Sequence, residues 1–250
     1  MKNFLIPTKL HADTISAVEM ALQQQDSKSS KIILLFVSCD SDAITSVRFL
    51  NDLNTTLNNT QEKVLIECQK VVDRKSNYTL EFQHQFELSS PLLKNILNHY
   101  SIDLILLPSS VTKSKLKQFL LLTNLLYKQN KPILHLNNNT QIELNTAVYL
   151  ENIKTKIPLL KIQNYVLDLF SVPKIHEILQ KESDNTEFTA QILADLLSIS
   201  NCDFVIETRK TKNNYFKKTQ QTPIQNYLNI PVLSLCETCI ENSKPHHKLY

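Results

Sequence analysis

The chain has 250 residues and no glycine, where average usage of about 7% would put about seventeen. Glycine lets a backbone adopt φ > 0 or pass close to a ligand. Its absence excludes every Gly-rich phosphate cradle: the P-loop, the G-x-G-x-x-G turn and the kinase-type loop. The G-x-S-x-G nucleophile elbow is excluded as well. Asparagine is abundant and is expected at the left-handed positions, because it tolerates that region best among the other residues. Tryptophan is absent and methionine occurs twice, which bears little on function. No apolar run approaches the roughly 18 residues of a membrane span, so no membrane partner is expected. Phe4-Leu5-Ile6, after Met1-Lys2, is shorter than the roughly 7–15 residues of a signal-peptide core. The expected address is cytoplasmic. A formal net charge of +3 makes no whole-protein electrostatic case for nucleic acid. The five cysteines, Cys39, Cys68, Cys202, Cys236 and Cys239, are odd in number and lie in apolar runs, as reduced thiols do.

What is present alternates in period. Phe4-Leu5-Ile6, KIILLFVSC over 31–39, IDLILL over 102–107 and PILHL over 132–136 read as strands covered on both faces. YTLEFQHQF over 78–86 alternates and reads as a strand with one wetter face. Between them, apolar residues at helical spacing mark helices over 8–25, 43–57, 90–100 and 113–128. In the first of these the stripe is Leu10, Ile15, Val18, Ala21 and Leu22. Residues 64–72 are ambiguous between helix and extended chain. Repeated βα units predict a parallel sheet with helices on both faces. The polar run Asn137-Asn138-Asn139-Thr140 reads as the start of a linker.

The second half restates part of the first. A helix, an Asp-led strand, a Lys-rich helix start and a Pro-led strand recur in order, with Asp103 answered by Asp203 and Pro132 by Pro231. TAVYL over 146–150 reads as the first strand of this second copy and 157–170 as its first helix. Residues 174–179 read as its second strand, with a short helix as the alternative. A further helix is expected over 187–200. One helix and one strand are then missing from the second copy.

NFLIPTKLHADTISAVEMAL, KIILLFVSC, SIDLILLPSS, KPILHL and IPVLSL resemble, in order, strands of the universal stress proteins. The resemblance implies two Rossmann-like three-layer α/β/α domains with parallel sheets, of the adenine-nucleotide-alpha-hydrolase-like kind, the second truncated. The expected boundaries are 1–137 for the first domain, 138–143 for the linker, 144–240 for the second domain and 241–250 for a flexible tail. Pairing of the two halves within the chain is expected, with a homodimer and an unknown protein partner as further possibilities.

Many members of that family bind ATP at the carboxyl ends of the strands, in keeping with the general rule for open α/β sheets. Their pattern is Gly-x2-Gly-x9-Gly-Ser/Thr after the fourth strand, with an Asp ending the first strand. Position by position the pattern fails here. Lys9 stands at the Asp position, Pro108-Ser109-Ser110 at the glycine loop, and Phe119-Leu120 or Lys218-Thr219 at the last Gly-Ser pair. ATP is therefore disfavoured and no cofactor is expected. The candidate ligand-binding residues of the strand-end crevice are Pro7, Thr8, Lys9, Cys39, Pro108, Ser109, Arg209, Lys210 and Thr219.

Other constellations have plainer readings. Lys113, Lys115 and Lys117, and Arg209, Lys210, Lys212, Lys217 and Lys218, could meet a phosphate or simply form solvated faces. Cys236-x-x-Cys239 with His246-His247 offers four zinc-type ligands; the plainer reading is a buried thiol and a loose tail. A redox role for the pair requires a helix N-terminus beside the first thiol, and none is expected. His135 reads as a satisfied sheet histidine and His11 as a helix-start residue. No Ser/His/Asp set or carboxylate pair emerges, so nothing supports an enzyme. The expected function is a stress-related binding or scaffold module without catalysis. The alternative is a nucleotide- or anion-binding protein with at most weak ATP hydrolysis.

Overall fold

The computed structural model describes residues 2–24, 29–38, 57–86, 88–137, 144–151, 157–170, 174–180, 202–210 and 230–242. The chain falls into two units, Met1–Leu126 and Tyr127–Tyr250. The helices expected over 43–57 and 187–200 and the linker at 138–143 lie outside the described residues, apart from residue 57.

In the first unit the apolar runs become strands β1 (Asn3–Thr8), β2 (Ser30–Val37), β3 (Tyr78–Gln85) and β4 (Ile102–Leu107). Their order is β3-β2-β1-β4 and every pairing is parallel. Phe4, Leu5, Ile6, Ile32, Ile33, Leu34, Leu35, Ile105 and Leu107 are at most 1% exposed, as expected of a sheet covered on both faces. β3 alternates because it is the outer strand of this order and stays half-buried. Helix α1 (Ala12–Gln23) buries Thr14, Ala17, Val18, Met20 and Ala21. The stripe expected from Ile15 and Leu22 is thus turned. The polar Thr14 faces inward because its hydroxyl bonds that of Thr8 at 2.6 Å.

The ambiguous stretch at 64–72 is helical, inside α2 (Asn59–Asp73). Its start is fixed by reciprocal capping: Asn58 Oδ1 accepts from the amides of Thr60 and Gln61, and Gln61 Oε1 accepts from the Asn58 amide. Helix α3 (Ser90–His99) starts on the Ser89 cap with Pro91 in its first turn. The helix expected over 113–128 starts only at Lys117, as α5 (Lys117–Tyr127), and a separate short piece, α4 (Ser109–Thr112), precedes it. The Lys113 and Ser114 amides close the first piece on Ser109 and Val111 carbonyls, and the Ser114 hydroxyl then takes the Leu116 amide. Amphipathic spacing continues across this break, which is why it was invisible to periodicity.

The second unit holds β5 (Ile133–His135), β6 (Thr146–Glu151), α6 (Leu159–Phe170), β7 (Lys174–Gln180), β8 (Phe204–Arg209), β9 (Val232–Cys236) and α7 (Glu237–Asn242). The strand order is β5-β9-β8-β6-β7. Residues 174–179 are therefore strand, not helix. Pairings β6–β7, β6–β8 and β8–β9 are parallel, but β5 pairs with β9 antiparallel, Leu134 opposite Leu233. That pair departs from the all-parallel expectation. Helix α7 was not expected either; it follows β9 directly and runs two residues into the supposed tail.

The two Asp-led strands make matching contacts within their own units. Asp103 Oδ2 accepts the Asn3 amide at 2.8 Å, tying β4 to the start of β1. Asp203 Oδ2 accepts the Asn145 and Thr146 amides and the Thr146 hydroxyl at 3.0, 2.8 and 3.0 Å, at the start of β6.

The residues that take positive φ among those described are Leu10 (56°) and Ser101 (48°). Among the described residues, no asparagine fills such a position, contrary to expectation. Leu10 is held by its amide bond to the Thr8 hydroxyl, 2.7 Å, and by complete burial of its side chain. Ser101 follows the α3 C-cap Tyr100 and donates its amide to Asn98, the position where helices commonly place glycine.

Two outcomes follow in urea unfolding. Ser101→Gly relieves left-handed strain worth about 1–2 kcal/mol against a smaller gain in unfolded-state freedom, and should raise stability by about 0.5 kcal/mol net. Asp203→Ala strips several amide and hydroxyl partners at once and should lower it by about 2 kcal/mol.

Candidate functional site

The carboxyl edge of the first unit is assembled from the ends of β1 and β4. Pro7 and Thr8 close β1, and the Thr8 hydroxyl is taken up by the Leu10 amide and Thr14. Lys9 lies with its ammonium 5.3 Å from the centre of the Phe119 ring, a cation–π contact, and Phe119 is only 3% exposed. Two residues singled out from separate parts of the sequence thus pack on each other. Pro108 is the N-cap of α4, and the buried Ser109 follows. The Asp13 carboxylate, from the first turn of α1, accepts the Ser110 amide at 2.7 Å and the Ser110 hydroxyl at 2.9 Å, with the Ser109 hydroxyl at 3.4 Å. Sequence reasoning missed Asp13. Its one signal is a carboxylate at the start of a helix, which is common and ordinarily serves the helix itself. Lys113, Lys115 and Lys117 are exposed.

A recess of about 510 Å³ opens nearby, lined by Leu10, His11, Asn58, Asn59, Thr60 and Gln61. None of the described residues that line it is lysine or arginine, and the α2 amides that border it are already capped. Cys39 and Thr219 lie outside the described residues.

At the carboxyl edge of the second unit, Arg209 ends β8 and Cys236 ends β9. The Arg209 guanidinium donates to the carbonyls of Ser234 (2.7 Å), Lys131 (2.6 Å), Gln129 (3.1 Å) and Tyr127 (3.4 Å). It also lies over the Tyr127 ring at 5.7 Å. Expected as an anion ligand, it is spent instead on the carbonyls that follow α5, the end of a helix where a cation is favoured. Burial lowers its pKa from the ordinary value, opposed by the neighbouring Cys236 thiol. Lys210 approaches Glu237 at 3.8 Å.

His135 stacks on the same tyrosine, rings 5.6 Å apart, and its Nε2 is 2.8 Å from the Tyr127 hydroxyl. It is only half-satisfied, since Nδ1 has no partner among the described residues. Burial first, and the Arg209 charge second, hold its pKa down to about 3. No group of three or more His, Cys, Asp or Glu that could hold a metal occurs among the described residues. His246 and His247 lie outside them.

No family model matches the chain, and no curated protein matches it by sequence. Solved structures do. A universal stress protein from Archaeoglobus fulgidus is similar at 10% identity, with 94% of this chain and 98% of that one covered and a TM-score of 0.57. A protein of unknown function from Pseudomonas aeruginosa is similar at 10% identity, 96% and 95% covered, TM-score 0.53. A putative universal stress protein from the same species is similar at 12% identity, 96% and 95% covered, TM-score 0.52.

The chain has the universal stress protein fold. The candidate loop of the first unit is the one that follows β4. In this chain the loop begins at Pro108, which has no amide hydrogen, and the Ser110 amide is taken by Asp13. No helix among the described residues is long and apolar enough to cross a membrane.

The His135 imidazole sets an acid limit. Between its ordinary value of 6.5 and about 3, the unfolded chain takes up a proton that the folded chain refuses. Stability is therefore whole above that window and falls with decreasing pH inside it, by up to about 1.4 kcal/mol per pH unit from this group. His135→Phe should flatten that part of the pH–stability curve, measured by urea unfolding at each pH.

Proposed function

We propose that this chain is a non-catalytic, universal-stress-type binding or scaffold module that has lost the family's glycine-dependent ATP site. The observation that carries the reading is the Asp13 carboxylate on Ser110. A phosphate brought to the same amide would meet a fixed negative charge at hydrogen-bonding distance, where repulsion replaces the usual attraction of a helix start for anions. The Lys9–Phe119 contact supports the same reading, because it fills space with side chains at positions where nucleotide-binding relatives have an aspartate and a small residue.

The reading includes two tandem copies, the second shortened. The matching roles of Asp103 at β1 and Asp203 at β6 support that duplication. In this reading the chain acts through a protein partner.

Thermal unfolding with ATP, AMP and inorganic phosphate tests this directly, because a ligand that binds only the folded state raises Tm. No shift is expected at millimolar concentration. A rise of several degrees with ATP would restore the alternative, a nucleotide- or anion-binding protein with weak hydrolysis.

A further inference from the structure

The second unit brings two thiols together at the end of β9. Cys236 is the last residue of that strand and Cys239 lies in the first turn of α7. The C-x-x-C spacing thus sets one thiol at the strand end and the other one helical turn on. Both also meet one residue of the turn between α5 and β5: Cys239 Sγ donates to the Asn130 carbonyl at 2.7 Å, and Cys236 Sγ lies 3.5 Å from Asn130 Oδ1. The Thr238 hydroxyl is 2.9 Å from Cys236 Sγ. Cys236 is fully buried, while Cys239 is partly exposed. The arrangement has an outer thiol, an inner thiol and a turn that holds them in register.

We propose that Cys236 and Cys239 are a redox-active dithiol that closes reversibly to a disulfide by exchange with small disulfides. Cys239, the outer sulfur, passes its proton to the neighbouring Cys236 thiolate and attacks one sulfur of the incoming disulfide. The S–S bond of that disulfide breaks, a protein–small-molecule mixed disulfide forms, and the first small thiolate leaves. Cys236 then attacks the Cys239 sulfur, the mixed disulfide breaks, and the second small thiolate leaves. The one proton of the pair and a second from solvent end on the two small thiols, and two electrons pass from the protein to the oxidant.

The electrostatics of the pair suit the resolving role of the inner sulfur. The neighbouring Cys239 thiol, then the Thr238 hydroxyl and the nearby Arg209, bring the Cys236 pKa down to about 5, so the inner sulfur is readily ionised despite its burial. The Cys239 pKa is raised by the neighbouring Cys236 sulfur and by burial, against Arg209 and Lys131. The two thiols thus share one proton and titrate as a pair. Glu237 and Glu207 are the acidic groups at this edge. Cys68, buried and pushed up to about 12 by burial, is an inert comparison within the same chain.

The test uses the full chain equilibrated in buffers of varied reduced to oxidised glutathione, quenched in acid, alkylated and mapped by peptide mass. Cys236 and Cys239 should pass together from two free thiols to one linked peptide pair in a single two-electron transition, with Cys68 free throughout. Cys236→Ser should accumulate a glutathione adduct on Cys239. Cys239→Ser should slow oxidation at Cys236 by about tenfold or more, because the remaining thiol has no access. The proposal falls if both thiols stay free at every ratio. It also falls if the unsubstituted chain stops at a Cys239 adduct, or if Cys236 reacts as fast without Cys239. The mapping of the unsubstituted chain decides the matter even where a variant fails to fold.

Discussion

Backbone amides at helix starts and strand ends must find partners when they are withdrawn from water, and a chain without glycine has few ways to leave one bare for a ligand. Here side chains of the chain itself supply the partners. Asp13 takes the Ser110 amide, Asn58 takes those of Thr60 and Gln61, Ser89 takes that of Leu92, and Thr8 takes that of Leu10. Asp103 and Asp203 do the same for the first residues of β1 and β6. The bonds within a few residues tighten turns and helix starts, and the long-range ones tie neighbouring segments together.

The second unit meets the opposite demand, that of carbonyls. The end of α5 and the turn after it present the Tyr127, Gln129 and Lys131 oxygens, and Arg209 gathers them with Ser234 of β9. A buried guanidinium is tolerable only with its donors filled, and these carbonyls fill them. The same turn offers Asn130 to the two thiols. The Arg209 charge reaches both neighbours of this corner, depressing His135 and favouring the Cys236 thiolate. One cation that looks like a surface ligand in the sequence is thus the centre of a packed polar corner.

Strands with continuous apolar runs were legible because burial on both faces leaves an unbroken signature. The half-buried β3 was legible through its alternation. Residues 64–72 were not, because the capping pair Asn58 and Gln61 that decides for helix lies outside the periodic stretch. The break between α4 and α5 escaped because Lys113 to Leu116 continue the amphipathic spacing while their amides turn to Ser109, Val111 and the Ser114 hydroxyl. Helix α7 is only six residues long, too short for a period to emerge. Of the site, Lys9 and Phe119 were each singled out from the sequence. Their mutual contact, like the reach of Asp13 to a loop 97 residues away, involves partners remote in sequence.

The amino-acid sequence by itself determined the class of the fold and the exclusion of glycine-lined cradles. Both are consequences of composition and local period, which need no knowledge of neighbours in space. The tertiary structure alone decided how the polar side chains were used: Arg209 on carbonyls, Asp13 on an amide, and Cys236 beside Cys239 at the head of a short helix. The reason is that a polar group acquires its role from whichever partner desolvation forces upon it, and that partner is chosen by folding across tens of residues.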